Sequence, residues 1–192
     1  MHGESGRHGE SGRHGESGMR GSCTTLVGGR VLIDCGATGF RSLVRWGGDP
    51  RALREIWFTH SHGDHCDPRE VAALLDARGS RAAPLLLRGT APLLEWLAAA
   101  LGRNAAALGR NDAAANRPDG GRRRRVGDVG RATAPGGRFE LRPFAPLQPF
   151  RTQGWLVTPL PANHLTAIPD ETPVHYLVRS PAASLLYALD GA

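Results

Sequence analysis

Residues 59–66 read THSHGDHC and place His60, His62, Asp64 and His65 within six consecutive positions, three of the chain's eight histidines among them. An apolar run, EIWFT (55–59), precedes the cluster, and Asp67-Pro68-Arg69-Glu70 follows it. That tetrapeptide has a helix N-cap residue, proline at the first helical position and glutamate three residues after the cap, the pattern of a capping box. The cluster is therefore expected on a turn between a strand and a helix. Near a strand end, residues two apart point to the same side, so His60 and His62 converge on one cation. The turn then presents Asp64 and His65 to a second cation beside the first. Imidazole nitrogen suits zinc, manganese or iron, and a carboxylate oxygen broadens the second position toward manganese and iron as well as zinc. Two ions about 3.5–4 Å apart share a water whose pKa falls toward about 7, and they polarise a scissile carbonyl or phosphoryl group. This is hydrolytic chemistry.

The elements that must position these groups follow from periodicity and punctuation. RVLID (30–34) is a short apolar strand ending on Asp34, with Gly36 close behind. Phe40, Leu43 and Val44 have helical spacing, and Asp49-Pro50 reads as a helix start. After the cluster, Val71, Leu74 and Leu75 share one helix face, and the helix stops at Gly79. PLLLR (84–88) suggests a strand and APLLEWLAAAL (91–101) a helix. From about 102 to 137 the sequence is rich in Gly, Ala, Asn and Arg, and is expected to be a long loop. Strands resume at 138–143, 155–159, 173–179 and 184–189. Strands with interspersed helices, and several consecutive strands late in the chain, point to a layered α/β (α+β) architecture.

The chain has 192 residues, 40% hydrophobic, which is enough for one domain with a real core. The first eighteen residues contain HGESG three times and carry no apolar run; residues 1–20 are expected to be a disordered tail and 21–192 the folded domain. No apolar segment is long enough to cross a bilayer, and no membrane partner is expected. Three cysteines, Cys23, Cys35 and Cys66, show no CxxC spacing, so packing thiols in a cytoplasmic protein are the expectation. His175, between Val174 and Tyr176 in a strand, is read as structural. All 24 basic residues are arginine and the formal net charge is +6. That usage reads as a GC-rich coding bias rather than as adaptation to nucleic acid. The run Arg122 to Arg125 has no interleaved aromatics and reads as a solvated loop.

THSHGDH resembles the HxHxDH signature of the metallo-β-lactamase-fold hydrolases, and VLIDCG resembles the strand that ends, in that family, on an aspartate supporting the metal-binding turn. Thr158-Pro-Leu-Pro-Ala-Asn-His164 is similar to the segment carrying the third ligand of the first metal. Leu186-Tyr-Ala-Leu-Asp190-Gly191 is similar to the strand ending on the aspartate that bridges both ions. The resemblance implies a four-layer αββα sandwich, incomplete at both ends. It implies His60, His62 and His164 on the first ion, Asp64 and His65 on the second, and Asp190 between them. Asp64 then doubles as the catalytic carboxylate, and Asp34 orients an imidazole ligand from behind. Zinc is the implied metal, as one or two ions, with manganese or iron as alternatives.

Within the family, the ligand pattern and the short interval from His164 to Asp190 look most like the ribonuclease Z and phosphoribosyl cyclic phosphodiesterase branch. A small-molecule or nucleotide-like phosphodiester substrate is the expectation. The family supplies a further histidine beyond the bridging aspartate, so the chain is expected to be truncated, with its first metal held well and its second weakly. Two alternatives follow: a remnant that keeps the fold and one metal, and a thioesterase or lactonase-type hydrolase on the same fold. The sequence leaves a homodimer open.

Overall fold

The computed structural model describes residues 22–107, 132–133 and 137–189. The HGESG repeats, the Arg122–Arg125 run, most of the expected loop and Asp190 lie outside these residues. Ten strands and three helices are formed in the described chain: β1 (Thr25–Val27), β2 (Val31–Ile33), α1 (Gly39–Arg45), β3 (Glu55–Trp57), α2 (Pro68–Arg78), β4 (Leu85–Gly89), α3 (Ala91–Ala107), β5 (Ala132–Thr133), β6 (Phe139–Pro143), β7 (Phe150–Thr152), β8 (Trp155–Pro161), β9 (Val174–Arg179) and β10 (Ser184–Tyr187).

A six-stranded sheet runs in the order β1-β2-β3-β4-β6-β5, with β2, β3, β4 and β6 parallel. A second, antiparallel sheet runs β10-β9-β8-β7. The central strands of the first sheet are buried on both faces, which is why VLI and EIW show no polar alternation. Leu32, Ile56 and Phe58 meet Leu43 of α1, Val71 and Leu74 of α2, and Leu93 and Leu97 of α3 in one apolar core. The opposite face turns Val31, Ile33 and Trp57 onto Val157, Val174, Tyr176 and Val178 of the second sheet in another. The described residues thus build three of the four expected layers: helices, sheet, sheet.

Several local expectations change. Asp49-Pro50 starts a turn and no helix: Asp49 Oδ1 accepts from Arg51 N–H at 2.9 Å and its carbonyl accepts from Ala52 N–H at 3.0 Å. Leu53 is buried and β3 begins at Glu55, which leaves no room for a second helical turn. The helix α3 continues six residues past the expected boundary, from 101 to Ala107, because its Ala-rich extension favours helix strongly enough to absorb Gly102. The short strand β5 also falls within the stretch expected to be loop.

The capping box forms only in half. Asp67 Oδ1 caps α2 by accepting from Arg69 N–H at 2.8 Å. The Asp67 N–H is already donated to the Cys35 carbonyl at 2.9 Å, so Glu70 has nothing to return to. Its Oε2 accepts instead from Phe40 N–H (3.0 Å) and Arg41 N–H (3.3 Å) at the start of α1, whose N-cap Thr38 makes no side-chain cap. One carboxylate of α2 therefore satisfies orphan donors of α1 and ties the two helices together.

Candidate metal centre

The turn carrying the cluster leaves β3 and is clamped by backbone bonds from the segment after β2 and from Cys23, just before β1. Cys35 N–H donates to the His65 carbonyl (2.8 Å), Ala37 N–H to Gly63 (2.9 Å) and Cys23 N–H to Asp64 (2.7 Å). Within the turn, His65 and Cys66 N–H both donate to the His62 carbonyl, at 2.9 and 2.7 Å. Gly36 lies where the clamp is tightest. A β-carbon there would overlap the Asp64 carbonyl, so no other residue fits without moving the turn.

Three imidazoles converge. His62 Nδ1 lies 3.1 Å from His60 Nε2 and 3.1 Å from His164 Nε2. The three ligand atoms all fall within 4.8 Å of one another. The ring centroids form a near-equilateral triangle of 4.9, 4.9 and 5.0 Å, each pair close to perpendicular. Nitrogens held about 2.0–2.1 Å from a tetrahedral zinc stand about 3.3 Å apart, and the two separations from His62 Nδ1 match that spacing. His60 is buried at the floor, while His62 and His164 are half-buried toward solvent. His164 reaches the triangle from the loop after β8, more than a hundred residues from His60. The register of β8 on β9 and a bond from Val174 N–H to the Thr59 carbonyl (3.0 Å) bring it there.

Behind the triangle sits a buried polar group. Asp34, with a left-handed φ of 60°, turns its carboxylate under the cluster. It accepts from Thr59 N–H (2.8 Å), from the Thr59 hydroxyl (2.9 Å) and from His65 Nδ1–H (2.8 Å). Burial pushes the Asp34 carboxyl above the usual range, and His65 and Thr59 oppose that rise. The Thr59 oxygen also lies 3.0 Å from His60 Nδ1, so a proton on that nitrogen leaves Nε2 unprotonated, its lone pair toward the triangle. By the same logic the bond to Asp34 leaves His65 Nε2 as its lone-pair nitrogen. That atom lies 3.8 Å from Asp64 Oδ2, with the Asp64 side chain half exposed.

The expected ligands thus separate by place. His60, His62 and His164 are one cluster; His65 packs tilted against His60, 4.1 Å between centroids, and faces Asp64. Asp190 lies outside the described residues. His175 stands on β9, paired with Leu160 and away from the triangle. Sequence reasoning missed Ser61 and Glu171. The Ser61 hydroxyl donates to Glu171 Oε2 and accepts from Ala167 N–H at 3.1 Å. Burial pushes the Glu171 carboxyl up, against the Ser61 and Thr166 hydrogen bonds that favour its charge. A serine wedged between two candidate ligands is the one sequence signal that pointed this way.

Residues 20–66 match the family model of the metallo-beta-lactamase superfamily. No curated protein matches the sequence. Among solved structures, the chain is similar to YhfI from Bacillus subtilis, a metallo-beta-lactamase fold protein, with a TM-score of 0.54, 16% identity and 87% of this chain covered. It is similar to human tRNase Z, short form (TM-score 0.51, 16% identity, 88% covered), and to a diphosphatase from the PhnP family (TM-score 0.50, 14% identity, 81% covered). The chain spans 54%, 62% and 47% of the lengths of those three proteins. It has the metallo-β-lactamase fold.

Proposed function

We propose that the chain is a metal-dependent hydrolase whose first ion, zinc in our assignment, is held by His60 Nε2, His62 Nδ1 and His164 Nε2. The observation that carries this reading is the convergence of the three nitrogens, His62 Nδ1 at 3.1 Å from each of the others. A divalent cation held there supplies Lewis-acid polarisation of a scissile group and acidifies water. Asp64 and His65, 3.8 Å apart, are the residues we assign to a second ion.

The chain's own groups divide the remaining work. In this reading the Thr59 hydroxyl fixes the His60 tautomer and the Asp34 carboxylate that of His65, which leaves Nε2 unprotonated on both, toward His62 and toward Asp64. Asp64, whose side chain is half exposed, is also the carboxylate we assign to take a proton from an attacking water. The burial of Asp34, Thr59 and His65 keeps water out from behind the cluster.

For substrate we propose a phosphodiester, with a small nucleotide-like molecule as its form. What supports this is the ligand pattern around HxHxDH and a fold shared with a tRNase Z and a diphosphatase. The test is a panel assay with zinc, manganese or iron(II) supplied, comparing a phosphodiester reporter, a thioester and a β-lactam, with His62→Ala as control. Phosphodiester turnover that disappears in His62→Ala supports the reading. Turnover of the thioester or the β-lactam alone overturns the substrate, and equal turnover in His62→Ala overturns the site.

A further inference from the structure

Twelve residues, 162–173, connect β8 to β9 and deliver His164 to the triangle. Their two ends are pinned together by a bond from Ala162 N–H to the Pro173 carbonyl at 2.9 Å. His164 lies two residues inside one end and Glu171 two residues inside the other. A loop closed only at its base leaves the residues above it free to swing, so something else must hold His164 against His62.

The second attachment is the Ser61–Glu171 contact. Ser61 is 3% exposed and sits between His60 and His62 on the cluster turn. Its hydroxyl donates to Glu171 Oε2. The Ser61 oxygen also accepts from Ala167 N–H at 3.1 Å. One side chain on the cluster turn is thereby bonded to both arms of the loop, at 167 on the His164 side and at 171 on the returning side. The other carboxylate oxygen, Oε1, is buried and makes no hydrogen bond among the described residues.

We propose that Glu171 is a positioning residue for the metal centre: through Ser61 it fastens the β8–β9 loop to the HxHxDH turn and sets the distance of His164 from His60 and His62. The inference rests on the metal-site reading above and deepens it. The hydrogen bond of Glu171 goes to Ser61 of the turn; the residue acts on a ligand by holding the loop that carries it. Outer partners that orient ligands change metal affinity about 10–100-fold when removed.

The test is equilibrium zinc affinity, measured by competition with a chromophoric chelator. It compares the full chain with Glu171→Ala, Glu171→Gln, Ser61→Ala, His164→Ala and the double variant His164→Ala/Glu171→Ala. Glutamine keeps an acceptor for Ser61, and its amide nitrogen falls where Oε1 breaks no bond. The expected result is about a tenfold loss of affinity in Glu171→Ala and Ser61→Ala, and recovery to within about threefold of the unaltered chain in Glu171→Gln. On the His164→Ala background, Glu171→Ala should change affinity less than about twofold, because the ligand it holds is already gone. Should Glu171→Ala fail to fold, as judged by thermal unfolding without metal, the glutamine and Ser61→Ala variants carry the comparison. Unchanged affinity in Glu171→Ala, or in Ser61→Ala where that comparison stands in for it, overturns the proposal, as does a loss in Glu171→Gln as large as in Ser61→Ala. An equal loss on the His164→Ala background also overturns it, since Glu171 would then support the fold at large. If the unaltered chain holds no zinc, the metal-site reading itself fails and this inference with it.

Discussion

Asp34 Oδ2 stands 2.8 Å from His65 Nδ1, with both side chains shut off from solvent. The contact joins the end of β2 to the cluster turn, and the aspartate that makes it adopts a φ of 60°, which L-residues avoid. The backbone strain and the buried carboxylate occur at one residue: from that conformation Asp34 reaches Thr59 and His65 together.

The two contributions can be separated by substitution. Asp34→Ala removes the carboxylate and keeps the strain, and should cost about 2–4 kcal/mol through unsatisfied Thr59 and His65 donors. Asp34→Gly removes both, and should be about 1 kcal/mol more stable than the alanine variant. Urea unfolding midpoints of the two proteins check this, and an alanine variant at least as stable as the glycine variant would contradict it.

Gly36 and Gly63 offer a paired comparison on the clamp of the cluster. A β-carbon at Gly36 collides with backbone, the Asp64 carbonyl, and backbone cannot move aside as a flexible side chain can. Gly36→Ala should therefore lose about 1–3 kcal/mol. At Gly63 nothing lies within 4 Å of the added carbon, and Gly63→Ala should stay within about 0.5 kcal/mol. Calorimetric melting of both variants measures the difference.

Away from the histidine cluster, Glu55 joins the two sheets. Its buried carboxylate accepts from Arg88 Nε at 2.7 Å and Trp57 Nε1 at 2.8 Å, and from the Thr152 hydroxyl. Burial alone would raise the Glu55 carboxyl, yet these donors and the Arg88 charge outweigh it and hold it below its ordinary value of 4.5. A depressed carboxyl contributes stability that is fully present above its unfolded value and is lost as pH falls through the folded one. Stability should thus drop on acidification below pH about 4.5, and Glu55→Gln should flatten that part of the curve. Arg88→Ala, which leaves a buried charge unpaired, should cost about 3–5 kcal/mol at neutral pH. Denaturant unfolding across the acid range tests all three statements.

Much of this arrangement could be read in the residues, and the boundary has a physical basis. His60, His62, Asp64 and His65 are local, and strand periodicity and the Asp67-Pro68 cap place them without knowledge of the fold. His164 was reachable only through its order in the family resemblance, because a histidine after a strand is by itself an ordinary loop or core residue. The Ser61–Glu171 bond joins residues 110 apart, and a single glutamate in a polar loop carries no sign of its partner. Glu70 shows the same limit from the other side. Its capping-box spacing was correct, but the Cys35 carbonyl had already taken the Asp67 N–H, a competition visible only once β2 and the cluster turn are packed together. The left-handed Asp34 was hidden because nothing in VLIDCG distinguishes it from an ordinary strand end.

In the proposed site His60, His62 and His164 form one metal-binding triangle. An equilibrium zinc titration tests it most directly, on the unaltered chain and on His60→Ala, His62→Ala and His164→Ala, with His175→Ala as the histidine outside the triangle. The predicted result is a tight site in the unaltered chain and in His175→Ala, weakened in each of the other three by at least about 100-fold, more than the loss of an outer partner produces. A His164→Ala protein that binds zinc as tightly as the unaltered chain would contradict it.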